Sequence, residues 1–260
     1  MDISFVQRTI HKGYQSINGN AFTENTYPTN ETGFYVGIAI RPAIGWRVDL
    51  YGDIYKFPWL KYLVDAPSHG KDFLVQLTYT PSRLVELYTR FRNETKQNNQ
   101  PDNTTTTNFL VSIPKQSWRT QVSYKVSSSF ALRNRVELLW YDKKEVNREM
   151  GFLSYVDIIY KPLLSPFTGV IRLQYFETDG YNSRIYAYEN DVLYSYSIPA
   201  FFDKGVRYYI NLNYDLSKKI AIWLRLAQTV YRDKNVVGSG LDEIQGNRRT
   251  EVKAQVRWMF

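Results

Sequence analysis

The sequence predicts an all-β chain: a transmembrane antiparallel up-and-down β-barrel of about twelve strands, with short periplasmic turns and long extracellular loops, in a single domain over residues 1–260. Three observations predict it. Apolar and polar residues alternate with period two in segment after segment, the short connections alternate with long ones, and outward aromatic residues gather at two heights around an aliphatic band. The final stretch, Thr250 to Phe260, sets the pattern. Val252, Ala254, Val256, Trp258 and Phe260 share one face of a strand, while Glu251, Lys253, Gln255 and Arg257 share the other. A strand apolar outside, charged inside and ended by an aromatic residue resembles the closing strand of outer-membrane barrels, so Trp258 and Phe260 are the expected insertion signal.

Taken in order, the first strand, Ile3 to Tyr14, alternates poorly. Phe34, Val36, Ile38 and Ile40 then share a face, the turn Pro42-Ala43-Ile44-Gly45 follows, and Trp46, Val48, Leu50 and Ile54 resume opposite Arg47, Asp49, Tyr51 and Asp53. Phe73, Val75, Leu77 and Tyr79 lead through Pro81-Ser82 to Val85, Leu87 and Phe91, set against Glu86, Arg90 and Arg92. Trp118 to Val126 and Leu132 to Trp140 repeat the rule, with Asn134 a polar blemish on the apolar face. Phe152 to Tyr160, Phe167 to Tyr175, Val206 to Tyr214 and Ile220 to Leu226 complete the set, with Ser154 a second blemish. Short turns lie near Ala43, Ser82, Ser128, Leu164 and Ser217; long polar excursions cover 17–31, 58–70, 95–115, 142–149, 178–203 and 233–247.

The aromatic distribution is the decisive sign of a membrane barrel. Trp46, Tyr79, Tyr124, Phe130, Tyr160, Phe167, Tyr214 and Trp258 lie beside the short turns; Phe34, Phe73, Phe91, Trp118, Trp140, Phe152, Tyr175 and Tyr208 lie beside the long loops. Two aromatic girdles around a Val, Ile and Leu band are the pattern of a bilayer-spanning sheet. With 22 Tyr, 14 Phe and 6 Trp the chain is 16% aromatic, yet no apolar run approaches the roughly 18 to 20 residues of a spanning helix. There is no cysteine, which excludes disulfides and thiolate metal sites. The first residues carry no charged region followed by a long apolar stretch, so an exported barrel is expected to be represented here as a mature form or a fragment.

The chain carries a formal charge of +8, and the predicted inward face is basic. Arg47, Arg90, Arg92, Arg119, Arg133, Arg135, Arg172, Arg207, Arg225 and Arg257, with Lys125 and Lys253, outnumber Asp49, Asp53, Glu86, Glu137, Asp157 and Glu251. Two readings follow. A water-filled basic lumen favours anions by focusing the field, whereas a ladder in which the arginines pair with acids and tyrosines fills a narrow interior. The assigned faces also predict that Leu224→Arg costs about 2 to 4 kcal/mol and Arg225→Leu much less.

The longest loop, 178–203, alternates from Arg184 to Ser197 around Asn190-Asp191 like a hairpin too short to span. It reads as an extracellular lid, a docking ribbon or an inward plug, with Tyr186, Tyr188 and Tyr194 as candidate stacking residues. Asp242 and Glu243, between glycines, are a second candidate binding pair but lack the spaced acids of a calcium loop, and no metal or cofactor is expected. His11, Ser16 and Asn18 bring the residue types of a membrane lipase into one segment, yet their spacing across a strand-to-loop transition does not suit a working hydrogen bond, so no catalytic residue is assigned.

Four loop segments carry a narrower resemblance: Gly19 to Asn25; Phe57 to Tyr62 with Val64 to Pro67; Tyr186 to Tyr194; and Gly238 to Asn247. They resemble the large outer-membrane proteins of Bacteroidota usually labelled helix-hairpin-helix domain-containing proteins. In that family the matching region is the carboxy-terminal part, after a helix-hairpin-helix module and further strands. The resemblance implies an outer-membrane barrel; the strand pattern and the basic inward face carry the main expectation, a non-enzymatic channel or transport component. The alternative is a structural or partner-binding subunit of a larger transport, secretion or DNA-uptake assembly, and a lipid hydrolase is third. Expected partners are outer-membrane lipid, the barrel-insertion machinery through the final strand, and other outer-membrane or periplasmic proteins. With no helix-hairpin-helix residues here, no nucleic-acid site is expected in this chain.

Overall fold

In the computed structural model, which describes all residues except 17, 18, 26, 101–105, 107 and 144–146 and the side chains of 143 and 147, twelve strands form one antiparallel up-and-down sheet. Its first six are β1 (Asp2–Ile10), β2 (Glu31–Ile40), β3 (Trp46–Phe57), β4 (Ser68–Ser82), β5 (Val85–Asn99) and β6 (Leu110–Lys125). Then follow β7 (Phe130–Lys143), β8 (Asn147–Tyr160) and β9 (Phe167–Thr178). A two-stranded ribbon of β10 (Ile185–Tyr186) and β11 (Ala200–Phe201) precedes β12 (Lys204–Asp215) and β13 (Ile220–Tyr231). A second ribbon, β14 (Val236–Val237) with β15 (Ile244–Gln245), leads to β16 (Arg248–Trp258). The sheet order is β1 to β9, then β12, β13 and β16, so every strand of the sheet follows its sequence neighbour. No helix among the described residues is long and apolar enough to cross a membrane.

The alternation read from sequence is the alternation of exposure. In β16, Val252, Ala254, Val256 and Trp258 are exposed and Glu251, Lys253, Gln255 and Arg257 are half-buried. The exposed face is the apolar one. Val156, Ile158, Ile171, Leu173, Ile210, Leu224 and Leu226 all stand open on it, a continuous apolar surface beyond what a water-soluble sheet presents. Asn134 is accommodated there because its amide donates to the Tyr155 carbonyl at 3.2 Å.

The chain divides into two compact units, Met1–Tyr79 with Thr89–Trp118 and Trp140–Arg148, and Thr80–Tyr88 with Arg119–Leu139 and Glu149–Phe260. In the first, Trp46 and Tyr79 face each other across β3 and β4 with rings stacked at 4.3 Å beside the short turn. The second has a run of three, Phe130 to Tyr160 at 4.8 Å and Tyr160 to Phe167 at 6.1 Å, beside its own short turns. Near its long loops Phe152 meets Tyr175 at 6.1 Å. Lateral ring contacts of this kind join neighbouring belt residues within each unit.

Three expectations are corrected. The first strand ends at Ile10 rather than Tyr14, because the chain turns there, Tyr14 N–H donating to the His11 carbonyl at 3.0 Å. The excursion expected over 95–115 is largely strand, since β5 runs to Asn99 and β6 starts at Leu110. Backbone pairing continues where both side-chain faces turn polar, so loss of apolar alternation does not end a strand. Third, the hairpin in the longest loop turns about Leu193 rather than about Asn190-Asp191: Ile185 and Tyr186 pair with Phe201 and Ala200, the Ala187 N–H donates to the Pro199 carbonyl at 3.5 Å, and Glu189 bridges Ser197, all in one register.

Candidate functional site

In the second unit, residues 183–192 lie as an extended strap on the polar face of the sheet. Ser183, Ile185, Ala187 and Glu189 are buried, and the intervening Tyr186 and Tyr188 are exposed, so the strap has the period two of a strand, and residues 185–189 pair with the returning segment 197–201. Ala187 is small enough for close approach, and the positions on either side carry the attachment. Arg135 Nη2 donates to the Tyr186 carbonyl at 3.2 Å, and Arg172 Nη1 to the Tyr188 carbonyl at 2.7 Å. Tyr209 Oη accepts the Asn190 N–H at 3.2 Å, and Asn211 Nδ2 donates to the Asp191 carbonyl at 3.0 Å.

The charges lock it. Glu189, 0% exposed, accepts two hydrogen bonds from Arg207, at 2.7 and 2.9 Å, and one from Arg225. Asp191 pairs with Lys253 at 2.7 Å and with Arg225 at 3.5 Å. Arg225 also holds Glu251 at 2.6 Å, and Arg172 holds Asp157 through two bonds of 2.6 and 2.7 Å while stacking 3.7 Å over the Tyr155 ring. Four cations, Arg172, Arg207, Arg225 and Lys253, thus meet four carboxylates, Asp157, Glu189, Asp191 and Glu251. Charge-assisted and mostly multidentate bonds of this type fix both position and orientation. The base of the strap is held by Glu149, whose carboxylate accepts from Asn182 Nδ2 at 2.8 Å and from Ser183 N–H at 2.9 Å. A glycine at 180 is needed for that approach, because a Cβ there would stand 2.7 Å from the Glu149 carboxylate. Beneath the strap, Gln174 is 1% exposed and neither atom of its amide has a hydrogen-bond partner among the described residues.

The first unit has a second, shallower strap. Glu31, 0% exposed, accepts the backbone N–H of Glu24 at 2.9 Å and of Asn25 at 3.0 Å, and pairs with Arg8 Nε at 2.5 Å. Arg8 also makes two bonds to Asp53, at 3.0 and 2.9 Å, and lies 5.3 Å from the Phe22 ring centre. Gly33 leaves room for that guanidinium: a Cβ would stand 2.6 Å from its carbon. Arg92 and Tyr51 converge on Asp72, and Lys96 bridges Glu24 and Glu94.

Of the basic residues singled out in the sequence, Arg135, Arg172, Arg207 and Arg225 come together under the strap of the second unit. Arg119 pairs with Glu137 through two 2.9 Å bonds, Glu137 also binds Arg135, and Arg133 lies 3.9 Å from Asp157. Arg92 belongs to the first unit, where Arg90 is half-buried. Arg47, exposed, binds Asp49 near a short turn, and Arg257 lies 5.6 Å from the Trp223 ring, so neither reaches a strap. Trp258 ends β16 and Phe260 is fully exposed beyond it. Tyr194 is 88% exposed, and Asp242 and Glu243 are exposed in a turn where Glu243 accepts from Gln245. His11 Nδ1 accepts the Gly13 N–H at 3.1 Å in a local turn, and Asn18 lies outside the described residues.

Sequence reading pointed at the tyrosines of the strap as stacking candidates, whereas the strap's ion pairs with the sheet come from Glu189 and Asp191. A signal existed: the strand cations outnumber the strand acids, so compensating carboxylates had to arrive from a loop. Arg8 and Glu31 were hidden by the poor alternation of the first strand.

The fold and site define an all-β chain with one twelve-stranded antiparallel sheet, apolar on its exposed face and strapped on its polar face. No family model matches the chain, and no curated protein sequence matches it. Among solved structures it is similar in fold to the copper transporter OprC, with a TM-score of 0.52 and 10% identity over 87% of this chain. The chain spans 40% of the length of that transporter.

Proposed function

We propose that the chain is a non-enzymatic outer-membrane β-barrel protein of transport type, in which residues 183–192 form a displaceable constriction on the interior face. The observation that carries this reading is the placement of Glu189, buried without exposure between Arg207 and Arg225 on the face opposite an apolar, aromatic-belted surface. Backbone groups at bilayer depth must be satisfied within the protein, which a sheet of this kind does when its edges are paired. The likeness to OprC supports the fold; copper is not carried over.

A second reading is favoured by the charge balance. The cations expected to make a basic, anion-selective interior are matched by carboxylates around the strap, which suits a filled, partner-binding subunit of a larger transport, secretion or DNA-uptake assembly. Planar-bilayer recordings separate the two. Under the transport reading the native chain conducts weakly, and Glu189→Ala with Asp191→Ala raises conductance several-fold. Many silent insertions of both forms overturn transport in favour of the partner-binding role.

A further inference from the structure

The exposed face of the first unit carries a feature the straps leave unexplained. A cavity of 970 Å³ opens there at the long-loop end of the strands, lined by Phe34 and Ile54 on one side and by Gln7, Lys56, His69 and Lys71 among its polar residues. Lys56 stands directly opposite His69 across β3 and β4, and Lys71 opposite Ile54, which makes the two lysines diagonal neighbours on one face. Both are exposed, neither forms an ion pair among the described residues, and no Asp or Glu lines the cavity. Two adjacent ammonium groups without a counter-ion repel each other, and the arrangement is relieved by an anion placed between them.

Their height says which kind of anion. Phe34, Ile54 and Lys71 lie in one row across β2, β3 and β4, and Lys56 lies two residues beyond Ile54, so the cationic pair runs from the outer level of the aromatic belt to one side-chain repeat, about 6 to 7 Å, outside it. A ligand filling the cavity has its charge at the lysines, neutral polar groups at the amide side chains, and an apolar part along Phe34 and Ile54. We propose that this cavity binds the phosphorylated headgroup of a membrane glycolipid, with Lys56 and Lys71 on the phosphate and the acyl chains on the apolar band below. The inference rests on the membrane reading above.

The test uses the full chain, folded in detergent micelles, with diphosphoryl lipid A as the probe and native mass spectrometry as the readout. The native chain should retain lipid A. Lys56→Gln with Lys71→Gln should lower retention at least tenfold, and Lys56→Arg with Lys71→Arg should keep it. Lys161→Gln, at a short-turn end in the other unit, should leave it unchanged. Retention that ignores the two lysines overturns the site, and displacement of the lipid by millimolar inorganic phosphate alone reduces it to a free-anion site. Insertion into lipid vesicles is scored in parallel. A chain that inserts but shows no lysine-dependent retention sinks this inference alone, whereas a chain that never enters bilayers sinks the membrane reading with it.

Discussion

The two straps hold their chains by opposite means. In the second unit the strap brings its own carboxylates to the strands, and Glu189 ends wholly buried among arginines supplied by β12 and β13. In the first unit the strand residue Glu31 offers the carboxylate and the strap offers backbone N–H groups. The one strap carboxylate engaged there, Glu24, stays one-fifth exposed, and Phe22 remains 55% exposed. The difference teaches where charge burial is compulsory. A buried carboxylate cannot be abandoned without a large penalty, whereas backbone groups released from Glu31 can turn to water.

The largest expected effect follows from the deeper strap. Arg225→Leu removes the cation shared by Glu189, Asp191 and Glu251, and should cost about 3 to 5 kcal/mol in urea unfolding from lipid vesicles. This replaces the sequence-based expectation of a much smaller cost, which rested on Arg225 facing inward and took no account of its partners. A loss under about 1 kcal/mol would break the comparison, since an isolated exposed pair is worth no more. Leu224→Arg, next along β13 but on the exposed apolar face, should cost about 2 to 4 kcal/mol in lipid. In a water-soluble protein the same change would be almost free, so this value separates the two surroundings.

Glu31→Gln should cost about 1 to 3 kcal/mol, because Arg8 keeps Asp53 while the backbone of Glu24 and Asn25 loses a charged acceptor. Hydrogen exchange sharpens the comparison here: protection should fall at residues 24 and 25 and stay unchanged at 183–192. The smallest effect is a pH dependence in the loop before β4. Burial, followed by the nearby charge of Lys96, pushes Lys61 down to about 8 from its ordinary 10.5. The unfolded loop then binds more protons than the folded one between those values, so local stability should rise as pH climbs from 8 toward 10.5. Lys61→Met should flatten that rise in amide exchange of residues 61–64, where Lys61 and Val64 pair.

Much of the sheet was legible because its signal is local. Period-two alternation shows directly in β16, in β12 and in the hairpin of β2 and β3, where each side chain reports which face its own residue occupies. Where strands leave the apolar band, as at Thr95 to Asn99, alternation fades although pairing continues, and the boundary was lost. Asn134 and Ser154 read as blemishes because a single polar residue says nothing of its partner; only the fold supplies the Tyr155 carbonyl.

The site divides in the same way. The sequence by itself determined that one face would be apolar and belted, that the other would carry an excess of arginine, and that 178–203 would be an unusual loop. Those properties belong to residue types and short-range spacing. Only the tertiary structure decided that the loop folds against the polar face, and that Glu189 and Asp191 complete the arginine set. Their partners, Arg207, Arg225 and Lys253, lie 18 to 62 residues further along the chain, and nothing in the local pattern ranks such pairings. Electrostatic pairing in a confined space selects them, once the backbone has brought those strands together.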